Sequence, residues 1–451
     1  MKILIKDTHI GLSDFSLYEE KIICDSLTFK DMSNAMSSRG FDSKKVKKVC
    51  FASKKKGFLI IRSGFLQELL LFCKKEGIKI EEIKDDRTKF PFQGKFEYEE
   101  IAKDFDPKFD YIDHQVKAVR AMLKANTGIC KLPTSSGKSY ILSIFLKRAV
   151  GVRSLILVEG VSLSIQLAND LRNDGHDVGI CNGKGKKDGY HMVSTVGSVK
   201  KIGLEKFNCV VVDECHSSAA KGYQDFFEKT SFPLRYGLSA TPEGNDSFRF
   251  AKIRQYLGGI ITETKATELL DNNVITPPEI IFKKIECKPT LDWQSAYDKN
   301  IVHNKQRNNL VRSLALDSGV PTLILYKIIE HGEILKELIP EATLLSGENS
   351  IKERQDAIDK FKSGEIRILI ASNIFKQGIS INNIQFFINA SGGKSKIEVL
   401  QKIGRSLRKF EGKKKVPVID FMDEGNSFTY KHSLQRLGLY KNAGFTDITI
   451  E

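Results

Sequence analysis

The chain has 451 residues, enough for two or three domains, and 41% of them are hydrophobic, which is enough to build sizeable cores. Its formal net charge of +15 favours a polyanionic partner, because clustered Lys and Arg side chains release counterions when they bind phosphates. The absence of any C-x-x-C spacing and of any membrane-length apolar run argues against zinc or iron–sulfur ligation and predicts a soluble cytoplasmic protein.

Short apolar segments alternate with basic runs in the first hundred residues. The runs lie at residues 44–48 and 54–57, and residues 65–73 have helical spacing with a basic stop after them. We interpret residues 1–105 as a basic α/β accessory domain that contacts DNA. The alternative is a structural cap whose lysines are merely solvated.

A phosphate-binding loop is predicted between an apolar segment at residues 128–131 and a helix start at residues 140–146. It resembles the pattern G-x-x-x-x-G-K-[ST], with Leu132 in place of the first glycine. In such a loop the backbone N–H groups cradle phosphates, the lysine adds charge and the hydroxyl holds Mg²⁺. The nucleotide-binding residues predicted here are Pro133, Thr134, Ser135, Ser136, Gly137, Lys138 and Ser139. The alternative is an ordinary strand-to-helix turn.

Two series of β-branched runs, each run followed by a helical stretch, predict an α/β fold with two doubly wound parallel sheets. The runs lie at residues 154–158, 209–212, 236–239, 322–326, 366–370 and 386–389. We expect the two lobes to join around residues 277–289. The predicted domains are therefore 106–285 and 286–451, after the accessory domain.

Two carboxylates, Asp213 and Glu214, directly follow a buried strand, at the edge where open α/β sheets place their ligands. Asp213 is suited to hold Mg²⁺, together with Ser139, and Glu214 to orient and deprotonate an attacking water. Adjacent acids after a strand are more often a polar turn. The phosphate loop upstream in the same lobe favours the catalytic interpretation.

A basic segment in the second lobe contains Gln401, Arg405 and Arg408. The two arginines are three residues apart, so on a helix they share a face and could reach one γ-phosphate across a cleft. The alternative is a basic helix face with surface ion pairs.

The combination of these motifs with Ser239-Ala240-Thr241-Pro242 resembles the superfamily 2 helicases and translocases, from Tyr111 to the C-terminus. The resemblance implies two tandem RecA-like lobes and ATP with Mg²⁺ as cofactors. By motif position it implies adenine recognition by Gln115, coupling by Ser239 and Thr241, arginine fingers at Arg405 and Arg408 beside Gln401, and contact of Gly378 with ATP. It also implies nucleic-acid contacts by Gln166, Ser194, Thr195, Ser372 and Asn373.

A closer resemblance, to the UvsW-type DNA helicases of tailed phages, lies in residues 258–270, 274–278, 431–436 and 444–445. It implies a motor that acts on forked, branched or duplex DNA in recombination, repair or replication, together with proteins of those processes.

A glycine-punctuated basic loop occupies residues 182–189 and has the composition of a hairpin tip. We expect Lys184, Lys186 and Lys187 to contact a DNA branch. The alternative is a solvated turn.

Two other functions stay open at this stage. One is an RNA-directed enzyme of the same superfamily, which Cys215 and His216 disfavour because the large RNA-helicase family has Ala-Asp there. The other is a nucleic-acid-binding scaffold with a vestigial nucleotide site.

Overall fold

The structure, a computed structural model, describes most of the chain. The described residues are 1–33, 35–37, 40–41, 43–93, 96–107, 111–244, 246–372, 381, 383–393, 407 and 414–451. They form two compact units, Met1–Leu132 with Gly137–Glu263 and Pro133–Ser136 with Thr264–Glu451. Within these residues, no helix combines the length and the apolar character that crossing a membrane requires.

The N-terminal part of the first unit is built on a five-stranded sheet with the order β7-β8-β2-β1-β9. The strands of this part are β1 Lys2–Ile5, β2 His9–Ser13, β3 Thr28–Asp31, β4 Met36–Ser37, β5 Gly40–Phe41, β6 Lys47–Cys50, β7 Ala52–Lys55, β8 Phe58–Arg62 and β9 Glu82–Asp85. The helices are α1 Leu17–Ser26, α2 Leu66–Lys75 and α3 Tyr98–Ala102. The helix predicted at residues 65–73 is confirmed as α2.

The rest of the first unit is a mostly parallel sheet with the order β13-β12-β14-β11-β15-β16-β10-β17. Its strands are β10 Thr127–Lys131, β11 Ser154–Val158, β12 Val178–Asn182, β13 Gly185–Lys187, β14 His191–Thr195, β15 Cys209–Asp213, β16 Leu234–Ser239 and β17 Ile260–Glu263. The helices are α4 Asp113–Lys124, α5 Lys138–Arg148, α6 Val161–Asn173, α7 Lys221–Glu228 and α8 Ser247–Leu257. Apolar cores lie on both faces, as expected for continuous apolar strands.

The N-terminal part packs closely on this sheet's helix α8. A Cβ atom on Gly64 would lie 1.9 Å from the carbonyl oxygen of Arg254, so only glycine allows this approach. The buried Arg235 guanidinium donates to the Ser63 hydroxyl at 2.7 Å, and Arg254 forms an ion pair with Glu68. Through these contacts the predicted accessory domain packs directly on the domain that contains β10–β17. Its predicted boundary at 105/106 stays a prediction.

The second unit contains a fully parallel sheet with the order β20-β21-β19-β22-β23-β18-β24. Its strands are β18 Pro278–Glu286, β19 Thr322–Leu325, β20 Thr343–Leu345, β21 Ile368–Ala371, β22 Phe386–Asn389, β23 Val416–Glu424 and β24 Ile448–Ile450. The helices are α9 Ala266–Asp271, α10 Trp293–Tyr297, α11 Lys305–Asp317, α12 Ile329–Leu338, α13 Ile351–Ser363 and α14 Ser427–Asn442. The two doubly wound parallel sheets predicted from the sequence are confirmed.

The predicted joint at residues 277–289 needs a correction. Pro278–Glu286 is strand β18, which pairs with β23 along its whole length and with β24 on its other side. Its proline occupies the first strand position, where a missing N–H is tolerated. This strand therefore belongs to the second sheet, ahead of the boundary predicted at 285/286.

Candidate nucleotide site

The predicted phosphate loop begins where β10 ends. The backbone N–H of Leu132 donates to the carbonyl of Ser239, at the end of β16, over 2.9 Å. Helix α5 starts at Lys138, and Gly137 before it has a φ of 80°, a left-handed conformation that suits glycine. The start of a helix carries partial positive charge, so this end of α5 favours an anion.

Gln115, in α4, lies directly beside this loop. A Cβ atom on Gly137 would lie 2.2 Å from Gln115 Nε2, so the amide fills the space that any other side chain would need. Gln115 is buried. Its place beside the loop is compatible with a role in nucleotide binding, and adenine recognition stays a prediction.

The two predicted carboxylates lie at the end of β15 and leave the strand by a sharp turn. Asp213 is the last strand residue, and Glu214 has φ 48° and ψ 52°. A residue other than glycine rarely adopts this left-handed conformation, and such strained residues cluster at functional sites. The conformation ends the strand and directs Glu214 out of the sheet.

Lys138 and Glu214 form an ion pair with 2.7 Å between Nζ and Oε1. Although burial would raise the pKa of Glu214, Lys138 and His216 hold it well below its usual range. Burial and the neighbouring Glu214 raise the pKa of Asp213 to about 6, against the lowering effect of Lys138. The pKa values of adjacent carboxyl groups are thus pushed in opposite directions, a pattern found at catalytic sites.

A polar chain runs from Glu214 to the segment predicted to couple hydrolysis to movement. His216 Nδ1 lies 3.3 Å from Glu214 Oε2 and 3.2 Å from the hydroxyl of Ser239. That hydroxyl accepts a hydrogen bond from the backbone N–H of Thr241 at 3.3 Å. The sequence alone predicts no role for His216, and its only signal there is a position two residues after the predicted catalytic Glu214.

The residues predicted to hold Mg²⁺ fit a divalent cation. Asp213 Oδ1 is buried and has no hydrogen-bond partner among the described residues. A buried carboxylate oxygen without a partner is costly, and a metal ligand role would account for it. Ser139, in the first turn of α5, supplies the hydroxyl that phosphate loops offer to Mg²⁺.

Two protein families match this chain, one on each sheet. Residues 108–244 match the family described as type III restriction enzyme, res subunit, and residues 305–410 match the helicase conserved C-terminal domain. Together these two domains decide the family to which the chain belongs. The chain is a superfamily 2 helicase.

Relatives of this helicase include proteins that act on DNA. The DNA 3'-5' translocase XPB2 of Sulfurisphaera tokodaii is 26% identical over 420 residues, 81% of this chain and 90% of that protein. The ATP-dependent DNA helicase uvsW of Enterobacteria phage T4 is 27% identical over 382 residues, 74% of this chain and 75% of that protein. These similarities support an ATP-dependent helicase that binds nucleic acid.

A solved structure has the same fold. Dbp5 of S. cerevisiae, bound to RNA and ADP BeF3, aligns with a TM-score of 0.54 and 16% identity. The alignment covers 78% of this helicase and 95% of that chain. At this identity the likeness concerns the fold alone.

The predicted nucleic-acid contacts of the first sheet lie in different settings. Gln166 lies on α6, partly exposed. Ser194 is buried at the end of β14 and donates to the Thr195 carbonyl, while the Thr195 hydroxyl donates to Ser198. The local hydrogen bonds of Ser194 and Thr195 agree with the alternative of turn contacts, and their role stays a prediction.

The basic loop forms the predicted hairpin. Strands β12 and β13 pair antiparallel, with Cys181 opposite Lys186 and Ile180 opposite Lys187. The side chains of Lys184, Lys186 and Lys187 are exposed. The hairpin is confirmed, and its contact with DNA stays a prediction.

Most predicted site residues of the second sheet lie outside the described residues. These are Asn373, Gly378, Gln401, Arg405 and Arg408. Ser372 is described: it follows β21, and its backbone N–H donates to the carbonyl of Leu345 at 3.2 Å.

Proposed function

We propose that this helicase uses ATP hydrolysis to move along DNA and that its substrates are forked or branched DNA. The nucleotide part of this proposal is carried by one observation: Lys138 pairs with Glu214 beside a buried Asp213 oxygen that has no partner among the described residues. The DNA part is supported by the names of the relatives XPB2 and uvsW and by the net charge of +15.

Lys138 has a different partner before and after ATP binds. Without nucleotide it neutralises Glu214, and the pKa of that carboxyl is low, so it is a weak base. The γ-phosphate of ATP competes for the Lys138 ammonium with a larger negative charge. Once Lys138 turns to the phosphate, the proton affinity of Glu214 rises, so the base is activated only when substrate is present.

Glu214 then orients and deprotonates the attacking water, and Lys138 stabilises the charge that develops on the phosphoryl oxygens. Mg²⁺, held by Asp213 and the Ser139 hydroxyl, would neutralise phosphate charge when bound. The backbone N–H groups at the start of α5 and Gln115 beside Gly137 position the nucleotide.

His216 transmits the state of Glu214 to Ser239 and Thr241. When Nδ1 carries the proton, it can donate to the Glu214 carboxylate, and the Ser239 hydroxyl competes for the same proton. A change in the charge or orientation of Glu214 therefore alters the hydrogen bonds that Ser239 makes to the Thr241 backbone. This route gives Ser239 and Thr241 the coupling role that the sequence motif predicts for them.

The remaining groups in this proposal come from both units. Arg405 and Arg408 act as arginine fingers on the γ-phosphate, with Gln401 and Gly378 as further nucleotide contacts. Gln166, Ser194, Thr195, Ser372 and Asn373 contact the sugar-phosphate backbone, because a motor that read bases would stall at particular sequences.

The test compares ATPase stimulation by forked DNA, linear duplex DNA and RNA at one salt concentration, together with strand displacement on forks. We expect the strongest stimulation with forked DNA and its loss in Glu214→Gln, which should still bind ATP. Preferential stimulation by RNA would transfer the proposal to RNA. Absence of any nucleic-acid-stimulated ATPase would indicate a scaffold with a vestigial site.

A further inference from the structure

The turn that follows β22 has an unusual backbone. Gly392 and Gly393 have φ values of 57° and 85°, so two consecutive residues are left-handed. A Cβ atom on Gly392 would lie 2.6 Å from the Ile301 side chain. Two glycines in succession give a chain many alternative directions, so a single direction at this turn has to be imposed by other contacts.

Three buried side chains impose that direction by holding the carbonyl groups of the turn. Arg307 Nη2 donates to the carbonyl of Ala390 at 3.1 Å, and the Tyr297 hydroxyl donates to that of Ser391 at 2.7 Å. Arg436 Nη1 donates to the carbonyl of Gly393 at 2.8 Å. We call the side chains of Tyr297, Arg307 and Arg436 the carbonyl clamp; they come from α10, α11 and α14.

Two aspartates of β23 hold the arginines of the carbonyl clamp in place. Asp420 accepts from Arg436 Nε at 3.0 Å and from the Tyr440 hydroxyl at 2.6 Å. Asp423 accepts from Arg307 Nη1 at 3.1 Å. These arginines and aspartates have no exposed surface.

The composition of this cluster indicates a geometric role. Apolar side chains of similar volume often stabilise a core as well as a buried ion pair does, because removing two ions from water is costly. Guanidinium groups, however, donate directed hydrogen bonds to backbone carbonyls, and apolar side chains cannot. In this cluster those bonds converge on one turn.

The chain continues from this turn into residues 394–410, the end of the region that matches the helicase C-terminal domain. That segment contains Gln401, Arg405 and Arg408. We propose that Tyr297, Arg307 and Arg436 are positioning residues, which fix the direction in which the chain leaves β22 and so place Arg405 and Arg408 for catalysis. This inference rests on the proposed function, in which the two arginines contact ATP.

The test removes one hydroxyl and keeps the core. Tyr297→Phe loses the bond to Ser391, and Tyr236→Phe is the matched control, since the Tyr236 hydroxyl donates to Met122 and Ala125 carbonyls in the first unit. We expect kcat of the nucleic-acid-stimulated ATPase to fall about tenfold in Tyr297→Phe, because small misplacements of catalytic groups are costly. KM for ATP should stay within about twofold in both variants, because neither substitution changes a residue of the phosphate loop. Their thermal stabilities should match.

A double-mutant cycle with Arg405→Ala separates positioning from general weakening. If the carbonyl clamp acts through that arginine, Tyr297→Phe should not lower kcat further in the Arg405→Ala background. Multiplicative effects, or a kcat for Tyr297→Phe equal to that of Tyr236→Phe, would overturn the inference. If Arg405→Ala itself leaves kcat unchanged, the role of this arginine in the proposed function is wrong. The positioning role of the carbonyl clamp is then wrong as well.

Discussion

Each compact unit buries a cluster of charged side chains, and the aspartates of the two clusters differ in how fully they are hydrogen-bonded. In the first unit, Lys138 is shared between two carboxyl groups, and Asp213 Oδ1 has no partner among the described residues. In the second unit, Asp420 accepts hydrogen bonds from Arg436 and Tyr440 as well as from its neighbours, and it is fully buried.

The difference separates charges that react from charges that position. A carboxylate with an open lone pair can take a metal ion or a water, at the cost of an unsatisfied buried group. A carboxylate whose lone pairs are all used has nothing to offer a substrate, but it holds its neighbours in one geometry. Removing a charge from the site of the first unit should therefore mainly lower activity, and removing an arginine or aspartate from the buried cluster of the second unit should also lower the free energy of unfolding.

The largest effect is expected at Lys138. Lys138→Ala removes the charge that stabilises the transferring phosphoryl group, and we expect ATP hydrolysis to fall by about ten-thousandfold, or about 5 kcal/mol in the barrier. Steady-state phosphate release measures this. Lys147→Ala, at an exposed lysine of the same helix α5, is the control and should be unaffected. A folded Lys138→Ala protein with native turnover would contradict the assignment of the site.

The opposite outcome is expected at Arg436. Arg436→Met leaves Asp420 buried without its cation, and we expect the free energy of unfolding to fall by about 3–5 kcal/mol. Urea denaturation measures the loss. The partly exposed pair Arg367–Glu341 gives the control, since Arg367→Met should cost less than about 1 kcal/mol.

A second substitution tests the cause. In the Arg436→Met background, Asp420→Asn removes the charge left without a partner, and we expect it to restore part of the lost stability. Equal losses in Arg436→Met and Arg367→Met would show that the buried cluster is not a structural element of this unit.

The sheets were largely predictable because buried parallel strands are read from local composition. Continuous apolar runs gave Ser154–Val158 and Phe386–Asn389 with the bounds that the structure has. The predicted joint at residues 277–289 contains strand Pro278–Glu286, in which polar residues interrupt the apolar ones. Its strand identity depends on pairing with β23, whose partner residues lie more than a hundred positions away, and no local pattern reports that pairing.

The site was predictable only where one short segment carries the chemistry. Lys138, Asp213 and Glu214 lie in compact motifs, and the structure brings Lys138 and Glu214 together. The contact of His216 with Ser239 and the carbonyl clamp depend on residues from separate elements, so they required coordinates. The roles of Gln401, Arg405 and Arg408 stay predictions.

A smaller effect on stability is expected from Asp213, in addition to the loss of turnover that its proposed role as a Mg²⁺ ligand predicts. Its pKa is raised from 3.8 to about 6, so between these values the folded protein keeps a proton that the unfolded chain has lost. The stability contributed by this group therefore falls as pH rises through that window, and the full penalty is present above about pH 6. Asp213→Asn removes the penalty. Relative to the native protein it should gain roughly 3 kcal/mol of unfolding free energy at pH 7 and little near pH 4.

Denaturant titrations at several pH values measure this difference. The lowered pKa of Glu214 acts in the other direction, giving stability that is lost as pH falls below its unfolded value of 4.5, but both proteins retain Glu214 and the difference largely cancels it. If the stability difference between the two proteins did not depend on pH, burial would not raise the pKa of Asp213. The contrast between the two buried clusters would then lose its main support.

The smallest effect on the free energy of unfolding is expected for exposed charges, which are neither in the nucleotide site nor in the buried cluster and are surrounded by water. Replacing Lys184, Lys186 and Lys187 with alanine should leave the free energy of unfolding within about 0.5 kcal/mol, since exposed substitutions rarely matter for stability. We expect affinity for forked DNA to fall severalfold at moderate salt. The slope of log affinity against log salt should decrease by about 0.9 for each lost phosphate contact.

The control for this last prediction removes the same charge elsewhere. Alanine at Lys352, Lys360 and Lys362, on α13, lowers the net charge by an equal amount, so long-range attraction falls similarly in both variants. Only the hairpin variant should change the salt slope, because that slope counts phosphates in direct contact. Equal slopes in the two variants would place the β12–β13 hairpin outside the DNA interface and leave its lysines with a purely solvating role.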